Sequence, residues 1–385
     1  MQRVSVGWLT WTLTHSGTWL GLVAMAEFFP VMFLSPLAGA LADWRDRVGI
    51  IRITQIIGTI QASLLAALVY TDMITIELLF ALSLLLGLTN AMAQPARMAL
   101  IPSLVDRASL PSALAINSIV FNSARFIGPA IAGVIIAHVS VGAAFAAKAV
   151  TYLCFLVAIS NLRGVPAMPV GTRQNVLRAS IEAYSYASRH AGIAPMLFLF
   201  AVTTIGTRCF VELFPGFADS VFQRGAAGLS IMVSTVGLGA ICGGAWMLRR
   251  PAIAGLTSVV LGNTLLFSLA IAAFTATNMF YAALPCVFVA GAAMVITGIG
   301  AQTLIQAAVE PAMRGRVMAL YGMIFRAGPA LGAVLMGWAS EWFGLRIPLA
   351  IGALVSAGFC AWAWLQHKRI AETLETEPAP AETRP

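Results

Sequence analysis

Residues 124–133 read Ala124-Arg125-Phe126-Ile127-Gly128-Pro129-Ala130-Ile131-Ala132-Gly133, and residues 326–332 read Arg326-Ala327-Gly328-Pro329-Ala330-Leu331-Gly332. Each copy sits inside a long apolar run. Proline removes a backbone donor and bends a helix, and the freed carbonyl then needs another partner. Small residues about one turn apart, such as Ala130 with Gly133 or Gly328 with Gly332, let neighbouring helices approach closely. A kinked, arginine-bearing apolar helix that occurs twice, about half a chain apart, predicts an internal repeat.

Composition agrees. Hydrophobic residues make up 59% of the chain and charged residues 10%, against about 25% charged in a soluble domain. Such a chain has too few charges to cover a water-facing surface. Apolar runs of about 20 residues, long enough to cross the hydrocarbon layer as helices, recur throughout. The expectation is an all-α polytopic membrane protein with spans near 1–15, 19–42, 49–71, 76–93, 109–136, 141–160, 193–215, 226–248, 254–275, 279–307, 317–339 and 346–366.

The net charge of +8 is explained by topology rather than by nucleic acid. Most basic residues, among them Arg45, Arg47, Arg52, Arg97, Arg107, Arg249, Arg250, Arg314 and Arg316, fall on one alternating set of loops. The opposite set holds Lys148, Arg224 and Arg346. The positive-inside rule then places the C-terminus in the cytoplasm of an inner-membrane protein. The five cysteines lie in apolar segments without metal-ligand spacing, so neither a disulfide framework nor a metal site is expected.

The longest polar break, 161–192, divides the spans six and six. The expected organisation is an N-terminal bundle (1–160), a cytoplasmic linker (161–192) with an amphipathic helix over Val176–Arg189 lying on the membrane surface, a C-terminal bundle (193–366) and a disordered cytoplasmic tail (367–385). Two six-helix halves joined by a cytoplasmic loop are the plan of a repeat transporter.

Residues Gly39-Ala-Leu-Ala-Asp43-Trp-Arg45-Asp46-Arg47 resemble the signature loop between helices two and three of the major facilitator superfamily. "SPLAGALAD", "QPARMALIPSLV" and "SARFIGPAIAG" are similar to the branch of that family containing the enterobactin exporter. The resemblance covers essentially the whole chain. It implies the major facilitator fold, a rocker-switch carrier with a cavity between halves, and a cytoplasmic conformational latch at Gly39, Asp43, Arg45 and Arg47. The Gly-Pro motif also resembles that of exporters. Asp43 ends span two, where the helix dipole disfavours a carboxylate. It therefore calls for a cationic partner, for which Arg314 and Arg316 are candidates, with Arg47 completing the cluster. Relative to a family-sized first helix, residues 1–15 are short, and the expectation is that roughly 20–30 residues are missing at the start.

Ionisable residues within spans are costly and mark function. Glu27, in "VAMAEFFPVMF", is the proton-coupling candidate; the alternative is a buried pair with Arg125 or Arg3. Arg208 and Glu212, at i, i+4, either neutralise each other or form an extracellular gate. Arg125 and Arg326 either face the cavity or pin carbonyls freed by Pro129 and Pro329. Asn90, Asn122, Gln302 and Gln306 are hydrogen-bonding candidates for the cavity or for helix contacts. No phosphate-binding loop and no catalytic constellation is present in the sequence, so no enzyme is expected and no cofactor beyond a proton gradient. The expected function is proton-coupled efflux of a small, partly lipophilic molecule, siderophore-like or drug-like, by a monomer in the bilayer. The alternatives are a metabolite uptake or exchange carrier and a non-transporting membrane sensor.

Overall fold

The computed structural model describes residues 1–44, 46–100, 102, 104–106, 109–162, 176–250 and 253–375. Within its helices, the side chains of 32–33, 35–44, 99, 111, 114–115, 118–119, 121–123, 125–126 and 176–180 lie outside that description. All regular structure among the described residues is helical: α1 (Gln2–Thr14), α2 (Gly17–Trp44), α3 (Arg47–Tyr70), α4 (Ile76–Leu100), α5 (Leu110–His138), α6 (Val141–Ser160), α7 (Val176–Arg189), α8 (Ile193–Gly206), α9 (Phe210–Gly216), α10 (Gly225–Leu248), α11 (Leu256–Ala276), α12 (Phe280–Ala308), α13 (Arg314–Phe343), α14 (Arg346–Leu365) and α15 (His367–Leu374). Nine helical stretches among the described residues have the length and apolarity to cross a membrane. Apart from a break within 193–215, the apolar runs marked in the sequence fall on helix.

Backbone caps explain several boundaries. Asp46 accepts from the N–H groups of Val48 and Gly49 and so starts α3, satisfying two donors that a helix N-terminus leaves open. Ser140 does the same for α6 through Ala143. Both Gly-Pro motifs lie inside continuous helices, Pro129 in α5 and Pro329 in α13.

Two compact units divide the chain. The first comprises Met1–Gln174, Glu212–Ser234 and Ala333–Glu341; the second comprises Asn175–Val211, Thr235–Gly332 and Trp342–Pro385. In the first, α2 packs along α4 and α3 along α6, around apolar clusters that include Val6, Val23, Leu65, Leu79 and Phe145. In the second, α11 lies against α12 and α14, around Phe200, Leu261, Leu304 and Tyr321. Glycine-to-backbone approaches hold its helices together: a Cβ on Gly239 would lie 2.0 Å from the Phe288 carbonyl oxygen, and one on Gly291 would lie 2.4 Å from that of Val236. In hydrocarbon, close van der Waals packing of this kind replaces the hydrophobic drive.

Two expectations are corrected. The run 193–215 is not one helix. It breaks at Thr207–Cys209 between α8 and α9 and ends in a π-helical turn, Phe217–Val221. The Thr203 carbonyl receives the Thr207 hydroxyl at 2.7 Å and the backbone N–H groups of Thr207 and Arg208, so the helical ladder is diverted there. The tail is not disordered from its start, because 367–374 form α15. Its Ile370 and Leu374 are buried, and the Glu375 carboxylate receives the N–H groups of Gly255 and Thr257 at the start of α11. The remainder of the tail, 376–385, lies outside the described residues.

The linker helix is present as α7. Ala183 and Ala187 are buried, while Ile181 and Tyr184 are exposed. Glu182 is ion-paired with Arg316, and the Tyr186 hydroxyl accepts from the Glu310 N–H at 3.3 Å.

Candidate functional site

The charged centre of the first unit is built on α1. Arg3 donates from Nη2 to Glu212 Oε1 at 2.9 Å, and its Nε lies 3.7 Å from Glu27 Oε2. The guanidinium sits 4.3 Å above the Phe28 ring. Glu27 is 9% exposed, and its Oε1 is buried without a hydrogen-bond partner. One cation thus serves two carboxylates, one of which retains an unfilled acceptor. Removing Arg3, itself half exposed, would leave two largely buried carboxylates without their shared cation, which is costly in an apolar surround.

Below this centre Gln2 donates to Gln61 Oε1 at 2.9 Å, and Gln61 donates to the Leu82 carbonyl at 3.1 Å. Towards the other end of α1, Trp11 Nε1 donates to Asp219 at 2.9 Å, with His15 Nδ1 3.8 Å from the same carboxylate. At the α1–α2 turn, Glu341 accepts from the Ser16 hydroxyl and from the Thr18 N–H. Glycines allow this proximity: a Cβ on Gly17 or Gly337 would run into the other's segment, and one on Gly21 would lie 2.5 Å from the Ala333 carbonyl oxygen. These polar contacts tie α1 and its turn to 212–221 and 333–341.

Of the two partners the sequence offered Glu27, Arg3 lies beside it, and the Arg125 side chain lies outside the described residues. Arg208 and Glu212 each make another contact. Glu212 goes to Arg3, and the Arg208 guanidinium lies 3.9 Å over the Phe325 ring. That ring belongs to a stack with Phe200 and Tyr321, and Tyr321 donates to the Gly298 carbonyl at 2.7 Å. Arg208 is 8% exposed. A broken helix carrying a buried cation is the element from which transporters build ligand sites.

Arg326, Gln302 and Gln306 are exposed, and Asn90 is half-buried. Arg47 is half-buried at the start of α3. Of the other latch residues, Arg45 lies outside the described residues, as do the side chains of Gly39 and Asp43. The side chains of Asn122 and Arg125 fall there as well. The motif glycines mediate packing. A Cβ on Gly133 would lie 2.7 Å from Ser230 Cα, one on Gly328 2.3 Å from the Thr204 hydroxyl, and one on Gly332 2.1 Å from the Ile205 carbonyl oxygen.

Sequence reading missed three residues. Lys148 was grouped with loop charges but lies well inside α6; its place in an apolar run was the available signal. Asp219 and Glu341 carried no signal, since each sits near a helix end where a carboxylate is unremarkable.

The chain matches the transmembrane secretion effector family over residues 1–380. It is similar to the staphyloferrin A transporter of Staphylococcus aureus, 34% identical over 151 residues, which is 39% of this chain and 38% of that protein. It is also similar to the enterobactin exporter EntS of Shigella boydii, 28% identical over 331 residues, 84% of this chain and 77% of the relative. Among solved structures, a bacterial homolog of the human lysosomal transporter Spinster superposes with a TM-score of 0.71 at 16% identity, covering 98% of this chain and 96% of that one. The nucleoside transporter NupG does so with a TM-score of 0.70 at 16% identity, covering 95% and 94%. These two share its fold. By its match over nearly the whole sequence, the chain belongs to the transmembrane secretion effector family of major facilitator superfamily transporters.

Proposed function

We propose that the protein exports a small, partly lipophilic molecule, siderophore-like or drug-like, across the inner membrane in exchange for protons. The observation that carries the coupling is the shared cation: Arg3 between Glu27 and Glu212, with Glu27 Oε1 unfilled. A buried carboxylate with a vacant acceptor is a place where a proton can be taken up. Protonation of Glu27 cancels its claim on Arg3 and leaves the guanidinium to Glu212. A proton thereby biases contacts between α1 and the segment that carries Glu212, which is what alternating access requires. Efflux as the direction draws on the names of the relatives, a staphyloferrin A transporter and an enterobactin exporter. In this reading Asp43, with Arg45 and Arg47, forms the cytoplasmic latch, and the protein works as a monomer.

The test is proton release from acidified inverted vesicles on addition of siderophores and lipophilic dyes. Wild type is expected to release protons with at least one compound, and Glu27→Gln to release none while retaining its fold. Release that survives Glu27→Gln moves the proton site elsewhere. No release with any compound sinks the antiport reading.

A further inference from the structure

Lys148 and Arg97 are embedded cations that the coupling centre does not use. Lys148 lies seven residues after the start of α6 and twelve before its end, and its side chain turns away from the nearer end, towards Tyr152 one turn further along. It shares a helix face with the buried residues Ala144, Phe145 and Ile159. Its ammonium sits 4.1 Å from the Tyr152 ring centroid. That ring is wedged beside Gly58 of α3, where a Cβ would lie 3.0 Å from Tyr152 Cε1. On α4, the Arg97 guanidinium lies 5.5 Å from the Phe155 ring, and its buried Nε has no hydrogen-bond partner. Tyr152 and Phe155 are three residues apart on α6, so the two cations lie along one face of that helix. Among the described residues neither cation forms an ion pair. Glu27, a buried carboxylate of the same unit, is held by Arg3.

Two cations in the interior of one helical bundle repel each other and are costly without a counterion. Each is steadied from one side by an aromatic face, which attracts a cation without neutralising it. The missing complement is an anion, and the orphaned guanidinium N–H requires an acceptor of the kind a carboxylate supplies. We infer that Lys148 and Arg97, supported by Tyr152 and Phe155, form a receiving site for an organic oxyanion, a carboxylate-type group of the transported molecule. That this anion is cargo rests on the transport reading above, whereas binding itself does not.

The test uses the full chain in nanodiscs of zwitterionic lipid. The thermal unfolding midpoint is followed against benzoate, phthalate and uncharged benzamide. Phthalate is expected to raise the midpoint saturably, benzoate to do so more weakly because it meets one cation at a time, and benzamide to do nothing. Lys148→Met is expected to weaken phthalate at least about tenfold. Lys148→Arg, which keeps the charge, should stay within about threefold of wild type. Should Lys148→Met fail to fold, Arg97→Gln takes its place, with the same loss expected. A second set of discs containing phosphatidylglycerol separates a lipid phosphate from a soluble carboxylate. No saturable shift with either carboxylate, an equal shift in the charge-removing variants, or stabilisation by phosphatidylglycerol alone would overturn the inference. Because the readout is binding, absent proton release in the vesicle assay and absent anion binding here are separate outcomes.

Discussion

Arg3 reaches a carboxylate 209 positions away in the chain and another 24 positions away, and both contacts rely on α1 lying where glycine packing puts it. The same dependence on small residues runs through the second unit, where Gly332 faces the Ile205 carbonyl oxygen with only 2.1 Å left for a Cβ. Backbone cannot yield there as a flexible side chain would, so Gly332→Ala forces α13 away from α8. The expected cost is about 1–3 kcal/mol, the usual penalty of overpacking. It would be read as a lower thermal midpoint in detergent, and an unchanged midpoint would mean that the two helices are free to separate. Glu27 was legible at this scale, because an acid inside an apolar run is expensive wherever it falls. Its partner was not, since Arg3 and Arg125 were equally apolar in context.

Helix termini supply the next scale. The Nδ1 of His190 accepts from the N–H groups of Gly192 and Ile193 at 3.2 and 3.3 Å, capping the start of α8. Only a neutral imidazole has that lone pair to offer. Burial lowers the His190 pKa below the ordinary histidine value, with Glu310 acting in the opposite direction. A histidine whose folded pKa is depressed stabilises the fold fully above its unfolded pKa, about 6.5, and loses that contribution as pH falls below it. The wild-type midpoint is therefore expected to decline between pH 7 and pH 5 more steeply than that of His190→Asn, whose amide oxygen can accept at any pH. Parallel declines would show that the cap carries no pH dependence. Helix existence was legible from hydropathy along almost the whole chain. The break at Thr207–Cys209 was not, because Thr, Arg and Cys do not interrupt a helix by propensity. The diversion arises from where the Thr203 carbonyl finds its donors.

At the scale of the molecule, charge sets the orientation. Arginines collect at one end of alternate helices, and the positive-inside rule leads to the expectation that this end faces the cytoplasm. A reporter active only in the cytoplasm is expected to function when fused after Pro385 and to be silent when fused after Asp72, in the turn between α3 and α4. The opposite pattern would invert the topology, and with it the cytoplasmic latch. The compact units do not follow the two halves of the sequence, since 212–234 and 333–341 group with Met1–Gln174. The Gly-Pro repeat in the sequence carries no information on which segments pack together.

Sequence alone determined the class of this protein, the course of its helices and the identity of its unusual acid, because hydropathy, glycine spacing and embedded charge are local properties that survive any arrangement of the chain. Tertiary structure alone decided who meets whom. It gave Glu212 to Arg3, set Lys148 and Arg97 against aromatic rings, and docked Glu375 onto α11. Those outcomes depend on contacts between residues distant in the chain, and in a membrane such contacts are selected by close packing and by the need to pair buried charge.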